Sequence, residues 1–172
     1  MYVGIGLWKK SSSLQKPAVV ALDAATGNVV WTKMLSSQPK HGGVRGLIVD
    51  GQRIICTGYV NNPSAGFKFV ADDAQAAVWE LTTSGNLVKE NILNIEGLGQ
   101  GAKIRKDKTS GYVMTSTAWE NEIQAVALVK LSNSLDVEWS KMYGMAGGDS
   151  QVIFIYLFLT LFNTFNLQFT RQ

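Results

Sequence analysis

Ala18-Val19-Val20-Ala21-Leu22-Asp23-Ala24-Ala25-Thr26-Gly27-Asn28-Val29-Val30-Trp31-Thr32-Lys33-Met34-Leu35 is the stretch on which the fold turns. Two runs rich in β-branched and apolar residues flank a short polar segment, the pattern of two strands joined by a turn. Gly27 tolerates the positive φ that tight turns need, and the Asp23 carboxylate is placed to accept from turn amides. The segment therefore predicts a β-hairpin specified by its own residues. The same design returns twice. Ala77-Val78-Trp79-Glu80-Leu81 passes through Thr82-Thr83-Ser84-Gly85-Asn86 into Leu87-Val88-Lys89, and Ala127-Leu128-Val129-Lys130-Leu131 passes through Ser132-Asn133-Ser134 into Leu135-Asp136-Val137-Glu138-Trp139-Ser140-Lys141.

Between these hairpins lie two copies of a second one. Val44 to Val49 turns at Asp50-Gly51 into Gln52 to Gly58, and Ala102 to Arg105 turns through Lys106 to Gly111 into Tyr112 to Ser116. Gly43 and Gly101, Gly58 and Ser116, and Gly27 and Gly85 are each 58 positions apart, while Lys89 to Trp139 spans 50. Four short antiparallel strands per repeat of this length match one β-propeller blade. Period-two patterning excludes a helical solenoid, and a β-sandwich has no reason to repeat its sequence. The expectation is an all-β chain forming an incomplete β-propeller of four-stranded antiparallel blades, about two and a half of them. Residues 1–35 form a partial blade in which Met1 to Gly6 is the second strand, 43–93 a whole blade and 101–143 another. Gly147-Gly148-Asp149-Ser150-Gln151 reads as the opening of a fourth, so residues 1–151 are the repeat region.

From Val152 the character changes to Val-Ile-Phe-Ile-Tyr-Leu-Phe-Leu-Thr-Leu-Phe before Asn163 and Asn166 interrupt it. A membrane helix needs roughly 20 apolar residues. Residues 152–172 are expected to be an aberrant, non-native apolar segment, as from reading across a splice donor after Gln151; a weak membrane segment is the alternative. Such a segment carries an aggregation liability.

Composition agrees with a β chain: Gly is high at 17 and Pro low at 3. The net charge is +3, with basic residues scattered instead of gathered on one face with aromatics, which argues against a nucleic-acid partner. Cys56 is the single cysteine; it forms no intrachain disulfide, and within Ile54-Ile55-Cys56 it reads as a small core residue. Met1 to Trp8 lacks the pattern of a signal peptide.

The run Ala21-Leu22-Asp23-Ala24-Ala25-Thr26-Gly27-Asn28-Val29-Val30-Trp31 resembles the tryptophan-docking motif of quinoprotein-like (pyrroloquinoline-quinone-type) propellers, A-x-D-x-x-T-G-x-x-x-W, with Ala21, Asp23, Thr26, Gly27 and Trp31 at the five specified positions. In that family the tryptophan packs between neighbouring blades. Gly85 repeats the turn glycine and Trp139 the tryptophan, which is followed by Lys141-Met142-Tyr143-Gly144; Lys89 replaces the tryptophan in the middle copy. The resemblance implies a non-catalytic module that docks an unknown protein or small ligand on the propeller face, with a fragment of a quinone- or metal-dependent oxidoreductase as the alternative. It favours an extracellular or periplasmic location. The quinone enzymes need an eight-bladed ring, an axial calcium site, an acidic base and commonly adjacent cysteines, a set this chain does not supply, so no cofactor is expected.

Isolated candidates read as structural. His41, the only histidine, sits in Pro39-Lys40-His41-Gly42-Gly43 and is expected in a solvated loop. Asp72-Asp73 lacks the spacing of an EF-type calcium loop. Glu120 and Glu122 are a carboxylate pair without a partner surface. Trp8 and Trp119, expected just past strand ends, are read as closing blade edges, with a stacking platform as the functional alternative. Gly97-Leu98-Gly99-Gln100-Gly101 precedes no helical pattern, so it is not a phosphate cradle.

Overall fold

The computed structural model describes residues 1–8, 14–63, 74–120 and 123–144, and among these every regular element is a β-strand. The strands are β1 (Tyr2–Trp8), β2 (Gln15–Leu22), β3 (Val29–Met34), β4 (His41–Asp50), β5 (Arg53–Asn62), β6 (Gln75–Thr82), β7 (Leu87–Ile92), β8 (Leu98–Lys106), β9 (Tyr112–Glu120), β10 (Ile123–Leu131) and β11 (Val137–Gly144). They form three antiparallel meanders: a first sheet β1-β2-β3, a second β4-β5-β6-β7 and a third β8-β9-β10-β11. Within each sheet the sequence neighbours pair, and short turns join β2 to β3, β4 to β5, β6 to β7 and β10 to β11.

The turns work as their residues dictate. Gly27 and Gly85 hold φ of 73° and 89°. The Asp23 Oδ1 accepts from the Ala25 and Thr26 amides and from the Thr26 hydroxyl, at 2.8 to 3.0 Å, and these bonds hold its carboxyl below the usual range. Thr82 Oγ1 and Ser132 Oγ accept from the Asn86 and Asp136 amides. The first turn is one residue longer than the other two: Asp23 N–H bonds to Asn28 O, whereas Thr82 bonds to Asn86 O and Ser132 to Asp136 O. Strand β2 consequently aligns with β6 at 59 positions, with Ala21 matching Glu80, although β3 aligns with β7 at 58.

The second sheet is covered on both faces, and alternation along its strands sorts side chains between two cores. Ile54, Cys56, Val60, Ala77, Trp79 and Leu81 join Val19 and Leu35 in the core shared with the first sheet. Ile55, Ala76 and Val78 point the other way, among Tyr112, Met114, Ala127, Val129 and Leu131 of the third. This double burial is why Ile54-Ile55-Cys56 is a continuous apolar run. Each buried Val, Ile or Leu among these contributes about 1.5–3 kcal/mol of burial. Trp79 is fully buried, its indole N–H donating to Glu90 Oε1 at 3.2 Å.

At the β4 and β8 edges the sheets approach at backbone distance. A Cβ on Gly46 of β4 would stand 2.9 Å from the Ala102 carbonyl oxygen of β8, and one on Gly101 of β8 would meet Thr57 Oγ1 of β5 at 2.2 Å. At the opposite edges, whole side chains fill the gap between sheets.

Candidate functional site

The strongest feature above the fold is the repeated way in which the last strand of one sheet reaches the turn of the next. Trp31 on β3 lies over Gly85 in the β6–β7 turn: a Cβ there would come 2.9 Å from the indole Cδ2. Tyr2 flanks the indole with ring centroids 5.8 Å apart, and its hydroxyl donates to the Thr83 carbonyl at 3.2 Å. The seam is apolar, with Gly85 leaving the room that the indole occupies.

The next seam reverses the division of bulk. Lys89, at the place of Trp31, donates from Nζ to the Ser134 carbonyl at 2.6 Å and to Asp136 Oδ1 at 2.7 Å, and Asn91 Nδ2 donates to the Leu135 carbonyl at 2.9 Å. Leu135, at the place of Gly85, holds a φ of 64° and is fully buried in the second core. Tryptophan over glycine becomes lysine over leucine. Sequence inspection sees the loss of the tryptophan at Lys89; that Leu135 supplies the missing volume depends on the facing of two sheets.

Polar groups reinforce the same seam. Arg53 pairs with Glu80 through Nε–Oε1 and Nη2–Oε2 at 2.7 and 2.8 Å, and also donates to the Tyr112 hydroxyl and the Asn133 carbonyl. Tyr112 donates to Asp50 Oδ2 at 2.8 Å, while Lys106 pairs with Asp50 Oδ1 at 2.5 Å. The Lys106 and Tyr112 hydrogen bonds hold the Asp50 carboxyl below its ordinary range. Burial, with the bond to Asp50, pushes the Tyr112 hydroxyl up to about 12. Within the third sheet, Lys130 pairs with Asp107 at 2.5 Å and holds that carboxyl at about 2. These are mutually satisfied charges that tie the second sheet to the third.

Trp139 on β11 occupies the corresponding position in the third sheet and is 42% exposed. Gly144 closes β11, paired with Ala125.

The isolated candidates do not converge. His41 departs from expectation: it opens β4 and is buried, its Nδ1 accepting the Gln15 amide at 3.0 Å, because the strand begins earlier than the glycine pair suggests. Trp8 and Trp119 lie within β1 and β9, paired with Gln15 and Gln124, and not past the strand ends. The run from Gly97 to Gly101 enters β8, packed against β9 and β5. Cys56 is fully buried and desolvation raises its thiol to about 12, so it is not a thiolate nucleophile. Glu120 ends β9; Glu122, Asp72, Asp73, residues 147–151 and the apolar segment 152–172 lie outside the described residues. Among the described residues no three His, Cys, Asp or Glu side chains are grouped to hold a metal, and no helix is long and apolar enough to cross a membrane. No family model matches the chain, and no curated protein matches it.

Proposed function

We propose that the chain is a run of β-propeller blades of the quinoprotein-like repeat type, and that its role is non-catalytic: a rigid platform that docks a protein or small ligand on the face of the assembled ring. The observation that carries this reading is the seam. The first and second sheets each set the side chain at one position of their last strand, Trp31 and Lys89, on the turn of the following sheet. One edge is spaced by glycine-to-backbone contact at Gly46 and Gly101, and the other by whole side chains. Sheets separated narrowly at one edge and widely at the other fan around an axis, which favours a propeller over parallel layers. The five motif residues Ala21, Asp23, Thr26, Gly27 and Trp31 support the subfamily, Asp23 and Thr26 by bonding each other across the turn.

The non-catalytic reading follows from where the ionisable groups are spent. Arg53, Glu80, Asp50, Lys106 and Tyr112 are committed to one another. Titration of the purified chain with pyrroloquinoline quinone and calcium tests it. The expected result is an unchanged melting temperature and no quinone-dependent dye reduction with alcohols; saturable quinone binding with turnover would overturn it.

A further inference from the structure

Asp50-Gly51 is the one place in the chain where an Asp or Asn precedes glycine. In such a pair the glycine nitrogen can attack the preceding side-chain carboxyl, because glycine has no Cβ to crowd the approach. The pair stands where β4 turns into β5, with Asp50 aligned with Arg53 and Gly51 at a φ of 60°. A Cβ built on Gly51 meets nothing within 4 Å, so the space beside its Cα is open.

Two different sheets hold the two halves of this turn. Gln52 is fixed within its own sheet: its carbonyl accepts the Thr83 amide at 3.1 Å and its Oε1 accepts the Thr83 hydroxyl at 2.8 Å. The Asp50 carboxylate is held from the third sheet. Its Oδ1 pairs with Lys106 Nζ at 2.5 Å, at the end of β8, and its Oδ2 accepts the Tyr112 hydroxyl at 2.8 Å, at the start of β9. These bonds, with the Arg53 charge nearby, keep the carboxyl below its ordinary range. An ionised carboxylate is a poor electrophile, and closing a ring onto the Gly51 nitrogen expels one of the two oxygens that Lys106 and Tyr112 hold.

We propose that Asp50-Gly51 is a modification site gated by the second seam: when Lys106 and Tyr112 release Asp50, it converts to isoaspartate without an enzyme. The Gly51 nitrogen bonds to Cγ of the protonated carboxyl, whose hydroxyl leaves as water with the amide proton, giving a cyclic imide. Water then adds to the Asp50 backbone carbonyl carbon, the bond from that carbon to nitrogen breaks, and nitrogen recovers its proton. The water lost is the water regained, so no other reagent is consumed. The backbone now runs through Cβ and Cγ, one carbon longer, and the free carboxylate sits on Cα. Lys106 and Tyr112 thereby lose the acceptor placed for them, and an opening of the joint leaves a lasting mark that weakens it. This holds whether or not the sheets close into a ring, so it stands apart from the docking role.

Incubating the full chain at neutral pH in water enriched in heavy oxygen, followed by peptide mass mapping, tests the proposal. Each passage through the imide leaves one heavy oxygen in the peptide containing Asp50, and a protease specific for aspartate fails to cut before the isoaspartate. Wild type is expected to label in denaturant and, while folded, at least about tenfold more slowly. Lys106→Met removes the exposed partner and Tyr112→Phe the hydroxyl alone. Each is expected to speed labelling of the folded chain about tenfold, the scale of a lost charge-assisted hydrogen bond. Gly27→Ala, which perturbs the first sheet and touches neither partner, is expected to leave the folded rate unchanged. Circular dichroism verifies the fold of each variant, and Lys106→Met decides the matter if Tyr112→Phe unfolds. Equal labelling of folded and denatured wild type, no acceleration in folded Lys106→Met, or equal acceleration by Gly27→Ala would each overturn the proposal.

Discussion

At Gly85 two demands meet in one residue. Its φ of 89° is unfavourable for an L side chain, and the volume beside its Cα belongs to Trp31. Gly27 meets only the first demand, with a φ of 73° and open space around it. The pair therefore separates backbone strain from packing. Gly27→Ala is expected to cost about 1 kcal/mol through the backbone alone, and Gly85→Ala about 2–4 kcal/mol because the indole must also move. Urea denaturation midpoints of the two variants measure the difference, and equal losses would remove Trp31 from the account. Cys56 gives a second expectation. Fully buried, with its thiol pushed up to about 12, it should react with a thiol reagent at pH 8 only as fast as the chain opens, and at once in denaturant. A kinetic trace of reagent absorbance distinguishes this from a reactive surface thiol.

At the scale of elements, the exchange of tryptophan-glycine for lysine-leucine implies coupling between β7 and the β10–β11 turn. Lys89→Ala alone should cost less than about 1 kcal/mol, since Lys89 and Asp136 are 34% and 64% exposed and such pairs contribute little. Lys89→Trp alone should destabilise by forcing an indole against Leu135, and Leu135→Gly alone by emptying a buried site. The double variant rebuilds the first seam at the second, so a double-mutant cycle should show a favourable coupling of about 1 kcal/mol or more; additive effects would refute the exchange. The same contrast marks what the sequence made legible. The hairpin turns were readable because Asp23, Gly27, Thr82, Gly85 and Ser132 act within a few residues of themselves. The compensation at Leu135, the burial of His41 and the Arg53 cluster were not, because each depends on which sheet faces which. A glycine-to-leucine change at a turn also argues, taken alone, against the positive φ that Leu135 adopts.

For the molecule as a whole the two seams differ in kind, and pH should part them. The first joins its sheets largely through apolar side chains around Trp31, Trp79 and Leu81. The second adds Lys106–Asp50 and Lys89–Asp136 across the joint, with the Tyr112–Asp50 bond. Asp50 and Asp136 are held below the ordinary carboxyl value of 3.8, chiefly by their lysine hydrogen bonds. A depressed folded-state pKa gives stability that is complete above the unfolded value and is lost as pH falls through the folded one. The second seam should therefore weaken below about pH 4, when the third sheet also loses the support of Asp107, held at about 2 by Lys130. Tyr112 acts in the opposite sense: raised from 10.0 to about 12, it contributes below pH 10 and loses that contribution as pH climbs toward 12. Hydrogen exchange at pH 5 and pH 2.5, corrected for intrinsic rates and read on peptides covering β8 and β9 against those covering β1 to β3, measures the acid limb. Protection should fall first in β8 and β9, and added salt should narrow the difference by screening the exposed pairs. Equal loss of protection in the first and third sheets would mean that the charges across the second seam do not hold it, and that its stability lies in Leu135, Ile55 and Val78 alone.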